Sequence, residues 1–69
     1  MTATRDDEVR IFLQAIKDAP GETARRNDLP MATRGQDKAR QWAANNGLAY
    51  FNRAGWHLTA RGMLWLCAP

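Results

Sequence analysis

The chain contains no serine, a single cysteine and a single histidine. Cys67 alone cannot build a disulfide framework or a cysteine-based zinc site, and a lone free thiol fits a reducing compartment. Without serine the commonest hydroxyl nucleophile is missing. There is no glycine-rich phosphate loop, and His57 has no second histidine with which to share a metal. Catalysis and cofactors are therefore not expected. Long apolar runs are missing too: the longest, residues 63–68, falls far short of the roughly 20 residues that span a bilayer. The N-terminus is acidic rather than basic and then apolar, so no secretory signal is expected. The expectation is a soluble cytoplasmic protein.

Acidic residues are scarce after residue 22. Residues 1–22 carry Arg5, Arg10 and Lys17 against Asp6, Asp7, Glu8, Asp18 and Glu22, a net −2. Residues 23–69 carry seven Lys or Arg against Asp28 and Asp37 only, a net +5. Such a basic bias is the electrostatic footprint of a nucleic-acid binder, although many solvated surfaces share it. Sixty-nine residues allow one domain, which at this size buries only about 60% of its unfolded surface. Stability should be modest, and a partner or a second copy would add to it.

Periodicity divides residues 1–69 into elements of a single domain. Val9, Phe12, Leu13 and Ile16 recur at helical spacing, with Thr4 as a cap, Asp6, Asp7 and Glu8 in the first turn, and Ala19-Pro20-Gly21 as the stop. This predicts a first helix over 5–19 whose stripe is core. Residues 22–29 offer only Ala24 and Leu29 as apolar anchors and predict a short second helix, ended by Pro30. Thr33-Arg34-Gly35-Gln36 is a capping box opening a third helix over 34–46, which Gly47 ends in a left-handed conformation. On that helix Gly35, Ala39, Trp42, Ala43 and Asn46 form the predicted inner face, opposite Arg34, Asp37, Lys38, Gln41, Ala44 and Asn45. As the only large apolar residue of that inner face, Trp42 is expected to be buried against Phe12, Leu13 or Ile16.

The stretch GLAYFNRAGWHLTARG follows. Leu48 to Phe51 and Trp56 to Leu58 have the period of two expected of strands, and the four residues Asn52 to Gly55 suit a hairpin loop, so a hairpin is predicted over 48–58. His57 falls on the face opposite Trp56 and Leu58, as a surface or interface residue rather than a ligand. Thr59 is placed to cap a last segment, 60–67, in which Gly62 avoids crowding. Met63 to Leu66 are apolar all round, and periodicity leaves helix and strand both open there. Cys67 reads as a small apolar filler.

The order of these elements, with Ala39, Trp42, Gly47-Leu48, Gly55-Trp56, Leu58-Thr59 and Gly62 in place, resembles the winged helix-turn-helix pattern of MarR-like and related bacterial and phage regulators. The resemblance covers roughly residues 23–66. It implies an α+β winged helix-turn-helix domain of three helices, a β-hairpin wing and a short C-terminal apolar helix. It also implies a DNA-binding transcriptional regulator, with the helix over 34–46 in the major groove of double-stranded DNA and the hairpin tip at the backbone. The chain departs from that pattern in its poorly apolar second helix and in a short wing with one basic residue.

On that reading Arg34, Lys38 and Gln41 are candidate base contacts, with Asp37 a possible acceptor for cytosine. Arg25, Arg26 and Arg40 would flank the groove and hold phosphates, and Arg53 sits at the wing tip. Thr33, Gln36, Asn45 and Asn52 complete the candidate contacts. Family relatives often dimerise outside the reading unit, so a homodimer with Met63, Trp65 or Leu66 at its interface is expected. The alternative is a small phage or mobile-element protein that uses the same scaffold to bind and inhibit a host protein. Its acidic start and three tryptophans, a residue favoured at interface hot spots, keep that reading open.

Overall fold

Helix α1, Arg5–Asp18, buries Val9, Phe12, Leu13 and Ile16, the whole predicted stripe. The computed structural model describes residues 5–25, 28–29 and 32–67, so the Thr4 cap, Arg26 and the turn at Pro30 lie outside the described residues. After α1 the chain reverses through Pro20–Glu22, where Gly21 adopts φ +68°. The order then runs β1 (Thr23–Ala24), α2 (Arg34–Asn45), β2 (Ala49–Asn52), β3 (Gly55–Leu58) and α3 (Ala60–Cys67). Among the described residues this is an α+β domain of three α-helices and one antiparallel sheet of order β1-β3-β2.

The segment predicted as a helix over 22–29 begins instead with a strand, Thr23–Ala24. Thr23 pairs with His57 and Ala24 with Trp56, so the start of that segment is an edge strand on β3. The physical reason is its shortage of apolar residues. Two anchors cannot hold a helix against the core, whereas a strand pairs its backbone with β3 and buries Ala24 fully. Asp28 N–H donates to the Arg25 carbonyl at 2.9 Å, and Leu29 is buried beyond it.

Helix α2 begins as its sequence predicts. The Thr33 hydroxyl accepts from Gln36 N–H at 3.1 Å, and the Gln36 side-chain oxygen accepts from the N–H groups of Thr33 and Ala32. This capping satisfies helix donors that would otherwise face water. Thr33→Ala is expected to cost about 0.5–2 kcal/mol, read as a lower midpoint in thermal denaturation. At the other end Gly47 has φ +71°. Leu48 N–H donates to Ala43 O at 2.9 Å, and Gly47 N–H to Ala44 O at 3.2 Å. These paired bonds close a Schellman motif, with Leu48 folding back onto the core as its apolar partner.

The hairpin is tighter than expected. Asn52 pairs with Gly55, so β2 and β3 are joined by Arg53-Ala54 alone, in place of the predicted four-residue loop. The Asn52 side-chain oxygen accepts from Ala54 N–H at 2.9 Å, which shapes the turn from within.

The last segment is a helix, resolving the open choice over residues 63–66. Thr59 caps it: its hydroxyl accepts from Gly62 N–H at 2.9 Å and donates to Gly47 O at 2.6 Å. Gly62 then lies flush on the backbone of Leu48. In this way Leu-Thr-x-x-Gly ties the start of α3 to the end of α2.

The core joins the α1 stripe to Ala24, Leu29, Ala39, Ala43, Leu48, Ala49 and Trp56. Its tryptophan is Trp56, 6% exposed and edge-on to Phe12 at 5.4 Å. Trp42 is only half-buried, contrary to expectation, because small Ala39 and Ala43 bring α2 close to α1. The bulky indole is displaced to the rim, 6.2 Å from the Trp65 ring with the Arg5 guanidinium 4.7 Å over it. Gly35 and Asn46, also predicted inward, are exposed at the two ends of α2. Cys67 is exposed rather than a filler, because it sits in the last turn of α3, past the core.

Candidate functional site

Small alanines hold α2 against α1, and the opposite side of the helix is therefore left to solvent. Arg34, Lys38, Gln41 and Asn45 are spaced i, i+4, i+7 and i+11, which places them in one line along the helix. All four are exposed. The line runs over about 17 Å at the α-helical rise. Among the described residues the side chains of Arg34, Lys38 and Asn45 enter no hydrogen bond or ion pair, which leaves their donors turned to water.

The remaining candidates on α2 are committed within the protein. The Asp37 carboxylate accepts two bonds from Arg40, at 3.0 and 2.9 Å, and one from Gln41 at 3.0 Å. Arg40 in turn lies 5.9 Å over the Trp56 ring. Asp37 thus spends its charge on Arg40 and orients the Gln41 amide beside the exposed line. Thr33 and Gln36 form the capping box of α2.

On the hairpin, Arg53 stands exposed in the two-residue turn. Asn52 is engaged: besides Ala54 N–H, its side-chain oxygen meets His57 Nε2 at 2.8 Å. With that oxygen as acceptor, Nε2 carries the proton. The Thr23 hydroxyl lies 3.1 Å from Nδ1 and donates to the Gly21 carbonyl at 3.3 Å. The ring also stacks on Tyr50 at 4.9 Å. His57 therefore links all three strands on the outer face of the sheet. Among the described residues no group of His, Cys, Asp and Glu is arranged to hold a metal ion.

Arg25 is exposed directly after β1, with its backbone beside Gly55. Gly55 has φ +126°, and its missing side chain leaves room for the Ala24 carbonyl. This close approach brings Arg25 alongside the hairpin, an adjacency that cannot be read from residues thirty apart in sequence. Arg26 lies outside the described residues.

The residues expected at a dimer interface are occupied within the chain. Trp65 packs on Trp42 beneath the Arg10 guanidinium, 5.2 Å away, and the Leu66 carbonyl accepts from Arg10 at 2.9 Å. Both side chains, with Met63, are half-buried, and the large apolar residue of α3 that projects is Leu64, 71% exposed. Reading α3 as apolar all round concealed which of its sides faces the core.

Two exposed aromatics were not singled out from sequence: Tyr50, on the His57 face, and Phe51, on the Trp56 face, 62% exposed. Strand alternation places them on opposite faces, but how far β2 extends past the core is a tertiary property. No helix among the described residues is long and apolar enough to cross a membrane. No family model, curated protein or solved structure matches the chain.

Proposed function

We propose that the protein is a DNA-binding transcriptional regulator, with α2 in the major groove and the β2–β3 hairpin at the backbone as a wing. The observation that carries this reading is the exposed line Arg34, Lys38, Gln41 and Asn45 on α2. Arginine and lysine match the acceptor edge of guanine, and glutamine and asparagine that of adenine. The one acidic residue of α2 is Asp37. Its pairing with Arg40 lowers the repulsion it would otherwise exert on phosphates. Arg25 and Arg53 supply exposed cations for the backbone on either side of the hairpin.

Compared with the winged helix-turn-helix pattern, a strand stands at the start of the segment expected to be the second helix, and α2 would be presented by α1 and the sheet. A homodimer would set two such helices on a two-fold site, and Leu64 is the α3 side chain available to a second copy.

Selection from a random duplex pool, followed by binding measurements over a range of salt, tests the reading. Arg34→Ala is expected to relax base preference at one position, with a loss of about 1–3 kcal/mol on the preferred site. Arg53→Ala should weaken all sequences alike and reduce the salt slope by about one. Both residues are exposed, so neither change should move the melting midpoint. A wild-type chain that binds no duplex at low salt would end the proposal.

The protein-inhibitor reading has one observation in its favour. The outward face of α1 forms a shallow depression lined by Arg10, Ile11, Gln14, Ala15 and Asp18, and Ile11 is 50% exposed there. Absence of DNA binding would turn attention to this face.

A further inference from the structure

Phe51 occupies the strand pair next to the one that closes the hairpin turn, directly opposite Trp56. Its ring centroid lies 5.6 Å from that of Trp56, which is itself held by Phe12 from the core side. The ring is thus braced at one edge, yet more than half of the residue stands in water. The charges nearest it are mostly arginines, of which Arg40 is paired with Asp37. Residues 48–58 include no acid, Arg53 lies two residues along in the turn, and Arg40 covers the Trp56 ring. Arg25 runs beside Gly55.

An exposed aromatic ring framed by cations suits a polyanion that also offers apolar surface. In duplex DNA that surface is the stacked bases, reached where an apolar side chain enters the minor groove and partly unstacks a step. An acidic protein patch would satisfy the arginines and leave the ring without a partner. We infer that Phe51 is an apolar wedge: with Arg53 and Arg25 on the phosphates, it inserts at a flexible base step beside the site read by α2. The inference rests on the DNA reading proposed above and adds to it a contact and a distortion of the DNA.

The test uses the full chain and mixed-sequence duplexes carrying a fluorescent adenine analogue at TA steps, which unstack readily. Phe51→Thr removes the wedge and keeps a good strand former at an exposed position, while Phe51→Leu keeps an apolar side chain. Thermal denaturation of both variants confirms that the hairpin survives. The wild type is expected to raise the fluorescence of the analogue on binding. Phe51→Thr should bind about tenfold more weakly, with no rise and an unchanged salt slope, because no phosphate contact is lost. Phe51→Leu should retain most of both signals. If Phe51→Thr binds as tightly as the wild type, or the wild type binds without unstacking the analogue, the wedge is wrong and the DNA reading stands. If the wild type binds no duplex at low salt, the DNA reading itself has failed and the wedge with it.

Discussion

Replacing Trp56 with alanine is expected to leave the chain largely unfolded near physiological temperature. Trp56 is nearly fully buried, edge-on to Phe12, and in contact range of the Phe51 ring and the Arg40 guanidinium. Deleting a buried tryptophan costs about 3–5 kcal/mol, as transfer free energy plus a cavity the surroundings only partly close. A core of this size supplies about 3–5 kcal/mol in total, so the loss rivals the whole margin. Trp42→Ala is expected to cost clearly less, because the half-buried Trp42 ring packs at the rim against Trp65 and Arg5. Urea denaturation of the two variants side by side makes the comparison. Equal losses, or a larger loss for Trp42, would overturn the assignment of Trp56 as the central tryptophan.

Gly62→Ala is the second large effect, and propensity alone predicts the wrong sign for it. Within a helix, alanine is favoured over glycine by about 0.5–1 kcal/mol, and Gly62 lies inside α3. A Cβ at this position would, however, collide with the Leu48 carbonyl and the Leu58 Cδ1. The leucine side chain can move, but the carbonyl cannot: it accepts from Thr59 N–H at 3.1 Å and belongs to the segment that ends α2. To relieve the collision, α3 must lift off Leu48, straining the Thr59 cap and the bond from Arg10 to Leu66. Overpacking of this kind costs about 1–3 kcal/mol, which outweighs the gain in propensity. In a domain of this length each kcal/mol moves the midpoint by about 4–8 °C, so calorimetry resolves the sign easily. A raised midpoint would mean that α3 is not seated on Leu48.

The elements that could be read from sequence are those with local causes. The α1 stripe follows from helical periodicity. The Thr33–Gln36 box, Gly47 and the Thr59 cap each satisfy backbone groups within a few residues of themselves, so their chemistry is written in adjacent letters. The exposed line on α2 was legible for the same reason, once Ala39 and Ala43 mark the buried side. An acidic residue three before an arginine fits both a base acceptor and an intrahelical pair, so the Asp37–Arg40 pair was not legible from sequence.

The β1 strand, the displacement of Trp42 and the exposure of Phe51 have no local cause. Thr23 and Ala24 are strand residues because β3, more than thirty residues later, offers a free edge to pair with. Trp42 lies at the rim because α1 and α2 approach through alanines, and Phe51 is exposed because β2 outruns the core that Trp56 closes. Composition and periodicity determined an α+β chain with a basic C-terminal two-thirds, a capped polar helix and a hairpin directly after it. Tertiary structure decided which aromatic is core, which strand borders β3 and which side chains of the hairpin face outward. Side-chain spacing carries information over a few residues, whereas edge pairing and core volume are settled only when distant segments compete for the same space.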